Sequence, residues 1–222
     1  EAEIVSLDFL RVRAAKNITL LPGFKEGLFS VQDVTAASAV TALNPQVPGR
    51  ILDMCAAPGG KATQLAEVTG DNAQIFATDK NPVRLEKLKD NIQRLGLKSI
   101  KIINYDKIDK FGPFDYILAD VPCSNTGVLA KRVEAKYRFS EQNLKSLLNI
   151  QQQILKTALS VAKPGTRICY SSCSIEKSEN TEQIRSFVES REHLTIVDEK
   201  LILPSVGPTD RDGGYYAVIL WS

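Results

Sequence analysis

Two of the four cysteines lie in polar, turn-like settings: Cys123 in DVPCSNTG (120–127) and Cys173 in YSSCS (170–174). A thiol in such a place can act as a thiolate nucleophile or help a covalent adduct come apart, whereas a cysteine within an apolar strand is inert packing. Asp120 and Pro122 stand beside the first thiol, directly after the apolar run FDYIL. A carboxylate and a sulfur therefore meet at the mouth of a buried strand, and Pro122 shapes the turn so that both face one cavity. Cys55 and Cys169 sit in or beside apolar runs and read as small buried hydrophobes. Cys169 and Cys173 are four residues apart, but no second close Cys/His pair completes a tetrahedral zinc site. The single histidine, His193, lies in a charged stretch far from every motif. Neither a metal nor a Ser/His/Asp mechanism is expected.

The elements that must position these residues alternate. RILDMC (50–55) is a short apolar strand running through AAPGGK into helical spacing at ATQLAEVT. QIFATD (74–79) is a second strand, and NPVRLEKLKDNIQRLGL an amphipathic helix with Pro82 in its first turn and Gly96 near its end. SIKIIN, FDYILAD and TRICYSSC are further strands; the long helix between the last two begins at the N-cap Ser140 and stops at Pro164 and Gly165. SENTEQIRSFVESR returns to helical spacing, and LTIVD and YYAVILWS close the chain as strands joined without a helix. This order predicts an α/β fold: a mostly parallel seven-stranded sheet, helices on both faces, and an antiparallel final strand. At 222 residues the chain can bury one substantial core, and its formal net charge of +2 confines any basic footprint to a local patch. No run is long and apolar enough to span a bilayer and no signal-peptide layout opens the chain, so a cytoplasmic protein without membrane association is expected.

Ligands of such sheets bind outside the carboxyl ends of the strands. The ends here are CAAPGGK, Asp79, Asp106, Asp120 to Cys123, and Ser171 to Ser174. Gly59 and Gly60 let the main chain approach a ligand closely. The turn lacks both G-x-G-x-x-G and G-x-x-x-x-G-K-[ST], so neither a dinucleotide fingerprint nor a P-loop is supported. Asp79 stands where an acid can accept both hydroxyls of a ribose, or where it simply caps a helix. A glycine turn, a ribose-type acid and a third acid, Asp106, together describe a site for a cofactor bearing a nucleoside.

LPGFKEGLFSVQD, DMCAAPGGKATQLAE, DVPCSNTGVLAKR, YSSCSIEKSEN and DGGYYAVILWS resemble, in that order, the motifs of the Sun/RsmB family of RNA 5-methylcytosine methyltransferases. The resemblance runs from about Leu21 to the end, and its paired thiols are not expected of amino-group methyltransferases. It implies a Rossmann-like methyltransferase fold with S-adenosylmethionine as cofactor. That cofactor is bound along Cys55, Ala56, Ala57, Pro58, Gly59, Gly60 and Lys61, with Asp79 on the ribose, Asp106 near the adenine and Asp120 by the methyl-bearing end. Cytosine C5 is a poor nucleophile, so the ring must first take a thiolate at C6. By the family pattern Cys173 attacks and Cys123 promotes release, while Asp120 meets the cytosine edge. Cys173 must ionise, and Lys61 is the cation that could assist it, or else a solvated lysine at a helix start. The implied partner is RNA, specifically 16S rRNA, and the implied state a monomer.

Residues 1–30 are expected to be the end of an N-terminal RNA-binding region or connector, and 31–222 the catalytic domain; the chain would then be the catalytic part of a longer protein or a shortened form, with weakened RNA affinity. Asn125 stands where many relatives carry Gly, and Ser172 where Thr is frequent. AKRVEAKYR (130–138) has four Lys/Arg beside the cleft and is expected to track RNA phosphates. Lys80, Arg84, Lys87 and Lys89 read as the polar face of their helix, and Tyr215 and Trp221 as core. The rival readings are methylation of tRNA, methylation of an exocyclic amine, and a non-catalytic RNA-binding assembly factor.

Overall fold

The computed structural model describes residues 2–6, 9–12, 17–207 and 210–222. Near the start β1 (Ala2–Ser6) and β2 (Phe9–Val12) pair antiparallel as a separate two-stranded ribbon. The main sheet contains β3 (Arg50–Asp53), β4 (Gln74–Ala77), β5 (Ile100–Ile102), β6 (Tyr116–Asp120), β7 (Arg167–Ser172), β8 (Leu194–Ile202) and β9 (Gly214–Trp221). Their order is β5-β4-β3-β6-β7-β9-β8, with β9 antiparallel to both neighbours and β3 to β7 parallel. This is the seven-stranded arrangement that the alternating pattern predicts. The chain winds outward from β3 toward β5 and then returns to place β6 on the other side of β3. The ligand crevice of such a sheet opens at that reversal, outside the carboxyl ends of β3 and β6.

Strand side chains alternate between faces, and the core divides accordingly. Leu52, Ile117, Ile168 and Ile219 face one layer, where they meet Leu155 and Ala158 of α5 (Glu141–Ser160) and Ile184 and Phe187 of α6 (Thr181–Glu189). Ile51, Leu118, Cys169 and Val218 face the other, against Val40 and Leu43 of α1 (Val34–Leu43) and Leu65 of α2 (Gly60–Val68). Helix starts follow the expected chemistry. Asn81 caps α3 (Pro82–Arg94) by accepting from the Val83 and Arg84 amides, and Ser140 caps α5 by accepting from the Asn143 amide.

Regular pairing of β3 and β4 stops at Asp53 and Ala77, short of Cys55 and Asp79. The chain leaves the ladder there to build the ligand turn, yet stays anchored: the Met54 amide donates to Leu118 O at 2.9 Å and the Ala56 amide to Thr78 O at 2.9 Å. Three other elements differ from the expectation. VTAASAVTAL forms α1, a helix without a strong polar face. The basic segment contains the short helix α4 (Glu134–Arg138). The strand expected at 194–198 continues to Ile202, because β9 offers it a partner along its whole length. Before α1 the chain lies on α3, where Arg94 donates to Phe24 O at 2.8 Å and Phe29 O at 3.0 Å and stacks on the Phe24 ring. Among the described residues no helix is long and apolar enough to cross a membrane.

Candidate active site

Parallel pairing of β6 with β7 sets Asp120 opposite Ser171. The turns that follow the two strands therefore emerge side by side, and Cys123 Sγ and Cys173 Sγ come to 3.2 Å. That is contact distance between free thiols rather than the ~2.05 Å of a disulfide. Two sulfurs so close share a proton. The hydrogen bond from Cys123 favours the Cys173 thiolate and lowers the Cys173 pKa against its burial and against the Asp120 charge, with Lys61 and Arg132 adding positive charge. The same hydrogen bond, with burial, pushes the Cys123 thiol up. Asn125 completes the turn in the left-handed region (φ 62°) that its residue type tolerates. Its Nδ2 donates to Cys123 O at 2.8 Å, and its Oδ1 lies 3.0 Å from Cys173 Sγ, where it accepts the thiol proton when Cys173 is neutral. Cys55 and Cys169 are the packing thiols the sequence suggests, and burial raises both well above the ordinary thiol range.

Lys61, on the first turn of α2, reaches Asp120 Oδ2 at 2.8 Å, while Ser171 Oγ donates to Asp120 Oδ1 at 2.8 Å. Lys61 is thus a partner of Asp120 first and acts on Cys173 through its field. Burial disfavours its ammonium, and the Asp120 carboxylate more than offsets this, so its pKa is raised. Behind the pair lies Asp53, fully buried, whose carboxyl group faces the Cys55 backbone amide without a well-formed hydrogen bond on either oxygen. Burial and then the Asp120 charge raise its pKa to about 8.

The other half of the crevice is the glycine turn. Gly59 has φ 121°, and a Cβ there would meet Leu88 Cδ1 at 2.9 Å, so only glycine fits without strain. Asp79 is buried; its Oδ1 accepts from the Asn81 amide, and its Oδ2 has no hydrogen-bond partner, with Arg84 Nη1 at 3.5 Å. Arg84 also donates to Ala57 O. It lies on the polar, exposed face of α3, as its spacing suggests, and braces the turn as well. Lys80 likewise sits over the Tyr105 ring, 4.6 Å from its centroid. Asp106 lies in a short 3-10 turn after β5, with an exposed side chain and its amide donating to Asn104 Oδ1. These residues fit a nucleoside-bearing cofactor: the buried Oδ2 of Asp79 accepts no hydrogen bond and has acceptor capacity for ribose hydroxyls, and at Gly60 the turn leaves the main chain open to close approach.

Beyond Cys123 a cleft of about 310 Å³ runs between the Cys123–Asn125 turn and α4 and α5, lined by Arg132, Arg138 and Phe139 among others. The four cations of the basic segment are not equivalent. Lys131 pairs inward with Asp33 and Asp212 at 2.8 and 2.9 Å, and Arg138 pairs with Glu134 at 3.3 Å. Tyr215 is buried with its hydroxyl donating to Glu199 Oε1, and Trp221 packs against the main core beside His193.

Sequence reasoning passed over Asp53, Arg84 and Glu179. Glu179 is fully buried behind the two thiol turns, where it accepts from groups on both. Its one sequence signal is an acid among serines in YSSCSIEKSEN. Asp53 was visible as a carboxylate at the end of an apolar strand.

A seven-stranded sheet of this order, with a glycine turn after its first strand and an acid after its second, defines the S-adenosylmethionine-dependent methyltransferase class. The solved methyltransferase homologue from Pyrococcus horikoshii superposes with TM-score 0.78 at 26% identity, covering 93% of this chain and 72% of that one. NSun6 from the same organism, solved with SFG, superposes with TM-score 0.81 at 24% identity over 93% of this chain and 56% of that one, a likeness of fold. The profile of the 16S rRNA methyltransferase RsmB/F family matches residues 40–208, and the chain belongs to that family. The ribosomal RNA small subunit methyltransferase B of Vibrio cholerae is 36% identical over 222 residues, which cover 96% of this chain and 50% of that protein. The chain thus spans about half the length of the curated relatives it matches. S-adenosylmethionine is the methyl donor of this class, in agreement with the cofactor that the motifs imply.

Proposed function

We propose that this chain carries the catalytic part of an enzyme that methylates C5 of a cytidine in RNA, with 16S rRNA as the substrate. The observation that carries this reading is the sulfur pair: two free thiols in contact, one inclined to ionise and the other to keep its proton, beside an Asp120–Lys61 pair. A methyltransferase acting on an exocyclic amine has no use for such a pair.

Cys173 adds through its thiolate to C6 of the cytosine, and the C5–C6 π electrons move toward C5, which becomes nucleophilic. Bound S-adenosylmethionine supplies the electrophilic methyl group. Asp120, held on one oxygen by Lys61 and on the other by Ser171, orients the base by accepting from its N4 amino group. Loss of the C5 proton to a base then restores the C5–C6 double bond as the sulfur–carbon bond breaks and its electron pair returns to Cys173. Cys123 touches the sulfur that must leave, and assists at this step. On the cofactor side Asp79 would hold the ribose, the segment Cys55 to Lys61 would line the cofactor and Asp106 would meet the adenine, while Arg84 braces the turn through Ala57. The cleft beside Cys123, with Arg132 and Phe139, takes the RNA strand around a base turned out of its stack.

Single-turnover transfer of a tritiated methyl group to unmodified small-subunit rRNA tests the reading. Cys173→Ala is expected to abolish transfer, and Cys123→Ala to accumulate a covalent protein–RNA complex. Full transfer by Cys173→Ala would remove the C5 chemistry and favour an amine acceptor.

A further inference from the structure

We propose that Glu179 is the positioning residue of the two-thiol centre: its buried carboxylate joins the turn bearing Cys123 to the turn bearing Cys173 and so sets the contact between the sulfurs. Ser124 follows Cys123 and Ser174 follows Cys173, and both bind this one side chain. Oε1 accepts from the Ser124 amide at 2.9 Å and from Gln151 Nε2 at 2.9 Å; Oε2 accepts from Ser174 Oγ at 2.6 Å and from Ser124 Oγ. Four donors on two oxygens satisfy a fully buried anion, which would otherwise be too costly to bury.

The base of the carboxylate is itself fixed. Tyr170, on β7, donates from its hydroxyl to Glu179 O at 2.6 Å. Asn180 Nδ2 donates to Ser174 O at 2.9 Å, and Asn180 Oδ1 accepts from Ser172 Oγ at 2.7 Å. Glu179 is thus rigid with respect to the Cys173 strand and reaches across to the Cys123 turn. Gln151 backs that turn from α5 by donating also to Pro122 O at 3.0 Å. Asp120 and Lys61, on the far side of the sulfurs, have no part in this arrangement. The carboxylate's charge also acts on Cys123, where it opposes a second anion and leaves the negative charge to Cys173.

The proposal rests on the reading of both cysteines as catalytic, and its test is chosen not to need RNA. Diamide converts two thiols in contact to a disulfide, its N=N bond taking up the two electrons and two protons to give the hydrazine. The rate of loss of alkylatable Cys123 and Cys173, followed by mass spectrometry, reads how well the sulfurs are held together. Wild type is expected to close rapidly. Glu179→Gln, which keeps the shape but removes the charge and one acceptor oxygen, is expected to close about tenfold more slowly or worse, with unchanged affinity for S-adenosylmethionine by calorimetry. Should Glu179→Gln fail to fold, the double variant Ser124→Ala/Ser174→Ala removes the hydroxyl arms instead and is expected to slow closure likewise. Closure at the wild-type rate in folded Glu179→Gln, or loss of closure and cofactor affinity in equal proportion, overturns the proposal. In RNA assays kcat is expected to fall with KM for the cofactor unchanged. Wild type that closes rapidly but methylates no cytidine would instead sink the C5 reading and leave the positioning role standing.

Discussion

Replacing Asp53 by asparagine removes a fully buried carboxyl group whose oxygens make no well-formed hydrogen bond, the Cys55 backbone amide being the donor that faces it. Its pKa rises from 3.8 to about 8, chiefly through burial and next through the Asp120 charge. Between those values the folded protein holds a proton that the unfolded chain has released, so the free energy of unfolding falls as pH rises and levels off above about 8. At about 1.4 kcal/mol per pH unit the whole window amounts to ~6 kcal/mol, of which ~4 kcal/mol has accrued by pH 7. Relaxation and water entry absorb part of any such penalty. Asparagine has nearly the same shape, never ionises, and carries a desolvation cost comparable to that of the protonated acid. The variant is therefore expected to be at least ~2 kcal/mol more stable at neutral pH, which is ~4 to 8 °C in Tm for a domain of this size. Urea unfolding of both ligand-free proteins between about pH 5 and 8 checks this. The gap between the two stabilities should be smallest at the acid end and widen steadily toward the alkaline end. Parallel profiles, or a variant less stable at every pH, would refute the conclusion that Asp53 is protonated in the folded chain.

Arg84→Ala is expected to weaken S-adenosylmethionine binding about tenfold, measured by calorimetry, with little change in Tm, since the arginine side chain is 49% exposed and its structural bonds go to Asp79 and Ala57. Gly59→Ala forces a side chain into φ 121° and to within 2.9 Å of Leu88 Cδ1. It should cost about 1 to 3 kcal/mol in stability and lower cofactor affinity further than Arg84→Ala does; an alanine variant with wild-type affinity would show that the turn has room to spare.

The parts of this site that could be read from the sequence are those whose signal is local. Apolar runs ending in Asp, Gly or Cys mark strands and the loops beyond them, and RILD, QIFA and YILAD became strands for that reason. Cys123 and Cys173 were singled out from Cys55 and Cys169 by their polar, turn-like settings. Their contact was not legible, because it depends on β6 and β7 being neighbours across the 20-residue helix α5, a fact of sheet order rather than of spacing. Glu179 shows the same limit more sharply. It looks like any surface glutamate before a helix until Ser124, 55 residues earlier, is folded against it. The bond from Arg84 to the glycine turn was not legible because a helix pattern says which side faces water but not which loop lies over that side. The helix α1 was missed because its residues are small: five of its ten positions are buried, and alanines give a weak contrast between faces.

The roles of the two thiols illustrate why residue type could not settle the division of labour between them. Two sulfurs at 3.2 Å cannot both carry charge, so the pair titrates as a unit and the surroundings decide where the remaining proton resides. Lys61 and Arg132 favour charge on Cys173, whereas Glu179 disfavours it on Cys123. The three groups come from α2, the loop before α4 and the turn before α6, so in the proposed mechanism the fold around them is what would tell nucleophile from release group. It follows that the lysine and the glutamate act on the same equilibrium from opposite sides. Neutralising either one should move alkylation from Cys173 toward Cys123, even though neither side chain makes a hydrogen bond to a sulfur.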